Sequence, residues 1–365
     1  RRPSATCGMN GMECSKSSLP SSPQTFSKRL PLKKIALLGA AHIHTPGFVK
    51  KLVARPDYHI AGVWDHDAAR ALHNSEQLVC PVISGVQELL KIEGLEAVIV
   101  CAETDRHEEL IEQVAKARKH CFAEKPLGMG KADSERMQKA LEDAGVLFQT
   151  GYFNRSKAAY RKIKELIDAG SFGAISRIRL NNCHSGLQRN IFEGWEWLTD
   201  MKQSGVGAFG DLGTHVLDLL LWFMGDLDSV TATLNQPMGR YPGCDENGEA
   251  ILRFKSGVIA SIAAGWLDLA QPMTAQVSGT KAHAYVAQDE LYLVGDEIPN
   301  ADGQSPYTDL PENLPHAFDL FLDAVQSGNG ANLVSPKEAA YRSTVMEAIY
   351  QAAETRQWVS VEPYS

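Results

Sequence analysis

The chain has 365 residues, 44% of them hydrophobic and 22% charged, with a formal net charge of −8 at pH 7. This ordinary composition argues against disorder, collagen or coiled coil as descriptions of the whole chain, and the length predicts about two domains. The acidic balance and the lack of any apolar run near the ~20 residues of a membrane span argue against nucleic-acid and membrane partners.

Residues 1–32 differ from the rest because they are rich in Ser, Pro and basic residues and lack hydrophobic periodicity. They predict a disordered extension; a start at Met9 or Met12 and an organellar transit remnant are alternatives. The seven cysteines include no Cys-x-x-Cys pair, which argues against a disulfide framework and favours a reducing compartment. We therefore expect a cytoplasmic protein.

From residue 33, short apolar strands alternate with helices. This rhythm is typical of a doubly wound parallel sheet, so we expect an α/β nucleotide-type domain over residues 33–152. The predicted strands are 33–38, 59–64, 79–83, 95–101, 120–123 and 147–150. The predicted helices are 48–54, 67–74, 86–92, 107–119 and 132–144.

After residue 151, consecutive strand-like segments separated by glycine turns indicate antiparallel pairing. We expect an α+β domain over residues 153–365 with an open, mostly antiparallel sheet. Its predicted strands are 175–181, 230–234, 250–254, 258–264, 273–278 and 282–286. Its predicted helices are 158–169, 212–223, 312–327 and 336–356, the last with Ser335 as N-cap and Pro336 at its first position.

The segment Gly39-Ala-Ala-His-Ile-His44 occupies the first strand-to-helix turn, where dinucleotide folds hold a pyrophosphate against a helix N-terminus. It keeps one glycine of the Gly-x-Gly-x-x-Gly pattern, so an ordinary turn is the alternative. Asp65 ends the second strand, where a carboxylate can accept both ribose hydroxyls and repel a 2′-phosphate, although a helix cap is the alternative. Together with the strand–helix rhythm, these residues predict a dinucleotide site that favours NAD over NADP.

Two further segments carry polar residues suited to acid–base chemistry. Glu124-Lys125-Pro126 directly follows a strand, at the sheet edge where ligands bind, and a solvated turn is the alternative. Asp211, His215 and Asp218 share one face of an otherwise apolar helix. An aspartate beside a histidine orients the imidazole and raises its basicity; a hydrogen-bonded structural histidine is the alternative. The histidines show no clustering beyond the pair in the first turn, so no metal site is predicted.

The motifs in chain order are the turn at Gly39, Asp65, Glu-Lys-Pro, Gly-Tyr-Phe-Asn-Arg at 151–155, Asp-x-x-x-His and the closing Glu-Ala-Ile-Tyr at 347–350. The order of these motifs along the chain resembles that of the glucose–fructose oxidoreductase/inositol dehydrogenase (Gfo/Idh/MocA) family. The resemblance covers residues 33–361. It implies a Rossmann domain, an open sheet often used for dimers or tetramers, and hence a homodimer or homotetramer. It also implies an NAD(P)-dependent oxidoreductase acting on CH–OH groups of a sugar, cyclitol or related polyol.

The resemblance implies roles for individual residues. The catalytic residues are then Lys125, His215 and Asp211, and the substrate contacts near the domain seam are Asn154 and Arg155. Trp197, on a loop near the cleft, suits a sugar ring, with core packing as the alternative. The implied cofactor-binding residues are Gly39, Ala40, Ala41, His42, Ile43, Asp65, Cys101, Ala102, His107, Glu124 and Lys125.

Two other functions stay open from the sequence. The first is an enzyme that retains NAD and cleaves glycosides by transient oxidation and elimination. The second is a non-catalytic dinucleotide-binding protein, which the eroded glycine turn favours and the presence of Lys125, Asp211 and His215 opposes.

Overall fold

Two β-sheets carry the fold of residues 32–363, which are the residues that this computed structural model describes. The predicted extension lies outside them, apart from Leu32. The strands of the first sheet are β1 (Lys33–Ala40), β2 (Tyr58–Trp64), β3 (Leu95–Cys101), β4 (His120–Ala123) and β5 (Phe148–Thr150). The helices between them are α1 (Thr45–Val53), α2 (Ala68–Leu78), α3 (Val86–Leu90), α4 (His107–Lys116) and α5 (Lys131–Ala144).

This first sheet is parallel throughout and has the order β2-β1-β3-β4-β5. The chain therefore builds outward from β1 in one direction and then in the other, which opens a crevice at the carboxyl ends of β1 and β3. Successive side chains point to opposite faces, so Ala36 and Leu38 enter one hydrophobic cluster while Ile35 and Leu37 enter another. Burial on both faces explains the near-continuous apolar runs, and the predicted Rossmann-type sheet is confirmed.

One strand and one helix start of this region were predicted wrongly. The strand at 79–83 is reduced to a single parallel bridge between Val63 and Val82, because Val79 adopts a left-handed conformation with φ 51° and Pro81 has no N–H for a ladder. Helix α1 begins at Thr45 instead of residue 48, since Pro46 fits the first turn of a helix.

The second sheet has eight strands in the order β12-β11-β10-β6-β9-β8-β7-β13. All its pairings are antiparallel except β6 with β9, so the expected mostly antiparallel sheet is confirmed. Its strands are β6 (Ile175–Cys183), β7 (Leu227–Asn235), β8 (Asn247–Phe254), β9 (Ile259–Gly265), β10 (Met273–Gly279), β11 (His283–Ala287), β12 (Glu290–Val294) and β13 (Val359–Ser360). The accompanying helices are α6 (Ala158–Asp168), α7 (Met201–Ser204), α8 (Ala208–Met224), α9 (Ala317–Ser327) and α10 (Pro336–Thr355).

Helix α9 covers one face of the first sheet, although it lies late in the chain. The Phe318 ring stacks on Phe48 at 4.5 Å between centroids and meets Phe122 edge-on at 5.0 Å. The helix begins five residues later than predicted because Pro311 and Pro315 precede it and His316 caps it, with the imidazole accepting from the Phe318 N–H. The C-terminal part of the chain thus completes the core of the N-terminal sheet.

One apolar stretch, Met201–Met224, meets the length and composition expected of a membrane-spanning helix. This corrects the expectation that no run of the chain comes near such a span. The stretch forms α7 and α8, and 89% of its most apolar window is buried inside the protein, as in a core helix. The absence of a membrane partner and the cytoplasmic location stay predictions.

A buried charge network ties the start of the C-terminal region to α8 and α10. Arg155 forks onto Asp218 at 2.8 and 2.6 Å and donates to Glu338 at 2.7 Å. Arg342 adds a further bond to Asp218 at 2.9 Å. Asp218 is fully buried, so its charge depends on these two guanidinium groups for compensation.

We expect Asp218→Ala to lower the free energy of unfolding by about 3–5 kcal/mol, because it leaves two buried arginines short of a counter-charge. Urea denaturation measures this value. The matched control is Asp143→Ala, which removes an exposed pair with Lys139 on α5 and should leave the free energy of unfolding nearly unchanged. Equal losses in the two variants would contradict a structural role for the network.

Candidate active site

An ion pair between a buried lysine and a partly exposed aspartate joins the carboxyl end of β4 to α8. The Lys125 ammonium lies 2.5 Å from Asp211 Oδ1 and 3.1 Å from the Asp211 carbonyl oxygen. The second carboxylate oxygen accepts a bond from the indole N–H of Trp266 at 3.0 Å. Burial opposes ionisation of Asp211, but Lys125 and Trp266 outweigh it and hold the pKa of this carboxyl well below its usual range.

His215 lies one helical turn after Asp211, buried on the same face of α8. Burial lowers its pKa well below the usual value, the charge of Lys125 lowers it further, and Asp211 opposes both. The predicted rise in the pKa of His215 is therefore wrong, because the cost of burying a charged imidazole exceeds the stabilisation that Asp211 gives it. Among the described residues, Nδ1 of His215 is buried without a hydrogen-bond partner. A neutral imidazole keeps one unprotonated nitrogen that can accept a proton.

Glu124 is fully buried beside the turn that follows β1. Its carboxylate accepts a hydrogen bond from His44 Nδ1 at 3.1 Å and one from the backbone N–H of Lys125 at 2.9 Å. His42 Nε2 lies 3.8 Å from the same carboxylate. Burial opposes ionisation, but these imidazole and ammonium neighbours hold the pKa of Glu124 well below its usual range. The carboxylate thus links the β1 turn to the Lys125 end of β4.

The sequence predicted no metal site, yet the fold brings Glu124 to the histidine pair, and ligand atoms of His42, His44 and Glu124 lie within 4.8 Å of one another. His42 Nδ1 accepts the His44 backbone N–H at 3.2 Å, so its neutral ring carries the proton on Nε2. A metal needs an unprotonated nitrogen. The observed contacts therefore describe a hydrogen-bonded anchor for Glu124.

The turn itself comes close to its neighbouring strands. Gly39 has φ +81°, and a Cβ there would lie 2.7 Å from Cβ of Ala102, so only glycine fits this position. The Ala40 N–H donates to Asp65 at 2.7 Å and the His42 N–H to the Cys101 carbonyl at 2.9 Å. A dinucleotide site needs this close packing at the start of α1.

Asp65 ends β2 as predicted, but its carboxylate is already engaged. Besides Ala40, it accepts from the Asp67 N–H at 2.7 Å and from Arg70 at 2.9 Å. Arg70 also donates to Glu103 at 2.8 Å. A ribose hydroxyl would therefore meet a carboxylate shared with Arg70. Arg70 and Glu103 were not predicted from the sequence, although Arg70 follows Asp65 closely on α2.

The remaining predicted residues divide between the cleft and the core. The rings of His107 and Trp197 are buried and bind backbone carbonyl groups. The two ring nitrogens of His107 lie 3.0 Å from the Leu127 carbonyl and 3.2 Å from the Ala102 carbonyl. The indole N–H of Trp197 donates to the Ala41 carbonyl at 2.9 Å. Asn154 is buried, and neither of its amide atoms has a hydrogen-bond partner within residues 32–363. Ile43, Cys101 and Ala102 lie around the turn that follows β1. Arg155, which was predicted to contact substrate, belongs instead to the charge network with Asp218.

Sequence reasoning missed several groups around Lys125 and His215. Trp266 binds Asp211, and the charges of Asp211 and Lys125 act on His184, whose pKa burial lowers. Phe153 lies 5.2 Å from His215 and stacks on His316 at 5.3 Å. No motif pointed to His184, Trp266 and His316, which follow β6, follow β9 and precede α9. Phe153 lies within the Gly-Tyr-Phe-Asn-Arg segment, but nothing in that segment assigned it a role.

Comparisons with known proteins agree with this geometry. Residues 33–152 match the oxidoreductase family with an NAD-binding Rossmann fold, and residues 160–285 match the GFO/IDH/MocA C-terminal domain. The chain belongs to the Gfo/Idh/MocA oxidoreductase family. The two matches fall on either side of the predicted domain boundary near residue 152, which itself stays a prediction.

Relatives with curated names are sugar and inositol enzymes. Myo-inositol 2-dehydrogenase of Thermotoga maritima is 31% identical over 48% of this chain and 51% of its own length. The chain therefore spans about half of that relative. 1,5-Anhydro-D-fructose reductase of Ensifer adhaerens is 26% identical over 80% of this chain and 87% of its own length. A solved levoglucosan dehydrogenase in complex with NADH and L-sorbose has a TM-score of 0.76 at 18% identity, over 91% of this chain and 99% of that one, which shows the same fold.

Buried neutral histidines predict a pH dependence of stability. Burial lowers the pKa of His42 to about 3 and lowers those of His107 and His215. The unfolded chain gains these protons near pH 6.5 and the folded chain does not. The free energy of unfolding should therefore fall as the pH falls below about 6.5, by up to about 1.4 kcal/mol per pH unit for each histidine.

Urea denaturation at pH 7.0 and 5.5 measures this change above the range where ordinary carboxylates titrate. His42→Gln should shrink the pH-dependent loss, while His59→Gln, at an exposed site on β2, should leave it unchanged. A free energy of unfolding that is equal at the two pH values would overturn the assignment of neutral buried imidazoles.

Proposed function

We propose that the protein is an NAD-dependent oxidoreductase that transfers a hydride between a nicotinamide and a secondary alcohol of a sugar, cyclitol or related polyol. The observation that carries the proposal is the cluster of buried Lys125 and His215 with Asp211, beside the glycine turn of a Rossmann sheet. Family membership and the named relatives, an inositol dehydrogenase among them, support the substrate class.

The protein's residues would handle the proton. A neutral imidazole has one unprotonated ring nitrogen, so His215 can accept the hydroxyl proton of an alcohol. The Lys125 ammonium would donate a hydrogen bond to the same oxygen and stabilise the negative charge that develops there. Asp211 holds Lys125 in place through the short hydrogen bond between them.

The coenzyme supplies the hydride acceptor or donor when it is bound. The residues that would hold it are the close-packed turn at Gly39, the N-terminus of α1, Asp65 with Arg70, and Glu124. They fit a dinucleotide, because the turn packs against β3 as such a site requires and Asp65 presents an acceptor at the ribose end. The same acidic group disfavours a 2′-phosphate, so NAD is the proposed coenzyme.

We expect Lys125→Ala and His215→Ala to lower kcat by about 10²–10⁴ while the Kd for NADH stays within a few-fold, because both groups act on the substrate oxygen. Reduced-nicotinamide absorbance measures turnover on a panel of sugars, cyclitols and keto-sugars, with NAD and NADP in both directions. Lys119→Ala, which contacts a backbone carbonyl at the far end of β4, is the control.

The same assays separate the alternatives. Turnover by either variant at the parent's rate would contradict the role of that residue. Free sugar released from a glycoside without net NADH would instead indicate the oxidation–elimination enzyme. Tight NADH binding with no turnover on the whole panel would indicate a non-catalytic binding protein.

We also propose that the chain forms a homodimer or homotetramer through the open face of the eight-stranded sheet. Ile251 and Ile259 are 46% and 53% exposed on that face, and Arg177 and Glu249 lie on it with opposite charges. A second copy related by a two-fold axis could cover the apolar groups and pair the charges. Sedimentation velocity should give a dimer or tetramer mass, and Ile251→Asp should lower it; a monomeric parent would refute the proposal.

A further inference from the structure

The helix that carries Asp211 and His215 begins without a cap of its own. Its N-cap residue is Gly207, which has no side chain to accept a bond. A helix start leaves its first N–H groups without intrahelical partners, and burying them unsatisfied is costly. In α8 these groups are Gly207, Ala208, Phe209 and Gly210.

Two residues from elsewhere in the chain satisfy all four of these N–H groups. The Tyr350 hydroxyl oxygen accepts from Gly207 at 2.8 Å and from Gly210 at 3.1 Å. Asp245 accepts from Ala208 through its carbonyl oxygen at 3.0 Å and from Phe209 through Oδ2 at 2.7 Å. Tyr350 also donates its hydroxyl proton to Asp245 Oδ1 at 2.8 Å, so the two side chains form one unit.

The fit around this unit requires the two glycines. A Cβ at Gly207 would lie 2.3 Å from Asp245 Oδ1, and one at Gly210 would lie 3.0 Å from the Tyr350 hydroxyl and 2.4 Å from Val206 Cβ. Asp245 is buried between the segments that it joins. A carboxylate at this end of a helix also interacts favourably with the helix dipole.

We propose that Asp245 and Tyr350 are positioning residues that hold the first turn of α8, and with it Asp211, at the distance that Lys125 requires. The inference rests on the proposed function and deepens it. Asp211 follows Gly210 directly, and its own N–H closes the first intrahelical bond to the Gly207 carbonyl at 2.9 Å. Loosening this turn moves Asp211 away from Lys125, and small misplacements of catalytic groups cost up to about 10²-fold in rate.

The first test is Tyr350→Phe, which removes the hydroxyl and keeps the ring. We expect kcat to fall about 10- to 100-fold while the KM for NAD stays within about three-fold, since the Tyr350 hydroxyl bonds the start of α8 and Asp245 and not the turn at Gly39. Tyr341→Phe is the matched control: it lies on the same helix, and its hydroxyl accepts the Leu227 N–H at 3.4 Å, remote from the start of α8. Its kcat should stay near that of the parent.

A second measurement does not depend on turnover. Hydrogen exchange at the amides of residues 207–210 should accelerate at least ten-fold in Tyr350→Phe and stay unchanged in Tyr341→Phe. Asp245→Asn keeps an acceptor for the Phe209 N–H, so its loss of kcat should be smaller than that of Asp245→Ala. This pair of variants replaces Tyr350→Phe as the test if Tyr350→Phe folds poorly.

The outcomes separate the two hypotheses. A parent protein that turns over no polyol refutes the proposed function, and exchange at residues 207–210 still tests the cap. An active parent for which Tyr350→Phe and Tyr341→Phe have the same kcat refutes the positioning role. Equal exchange in both variants refutes the cap itself.

Discussion

The pairing of Lys125 with Asp211 is the constraint on which the rest of the site depends. Removing both charges from water is costly, and their attraction repays this only when the geometry is good and the remaining bonds are satisfied. Here the Asp211 carbonyl and the Trp266 indole complete the set. Because Lys125 follows β4 and Asp211 lies on α8, one interaction holds an end of the parallel sheet against the helix that covers the second sheet.

Burial, reinforced by the same lysine, sets the protonation state of His215. An ammonium beside a buried imidazole adds to the desolvation that already disfavours its charged form, so His215 stays neutral despite the aspartate one turn away. Asp211 is consequently a partner of Lys125 more than of His215. The site thus separates its charges, with a cation held by a carboxylate and a neutral base beside them.

Much of the fold could be predicted because it follows from local periodicity. The strands of the parallel sheet are apolar runs between polar turns, and Asp211 and His215 share a helix face by spacing alone. Prediction failed where backbone chemistry overrode hydrophobicity, as at Val79 and Pro81. The partners that complete the site were out of reach for another reason, since Trp266 lies 55 residues from Asp211 and Tyr350 lies 105 residues from Asp245. No local pattern records which distant residue satisfies a buried polar group.

The packing of α9 against the parallel sheet bears on how the chain can be divided. Phe48 and Phe122 of the N-terminal half contact each other, and Phe318 and Phe321 of α9 pack over them in the same hydrophobic cluster. A fragment ending near residue 152 would present that aromatic surface to water, where it favours self-association. The coenzyme-binding half is therefore not a free-standing module: grafting it onto another protein, or expressing it alone, calls for a substitute that shields these rings.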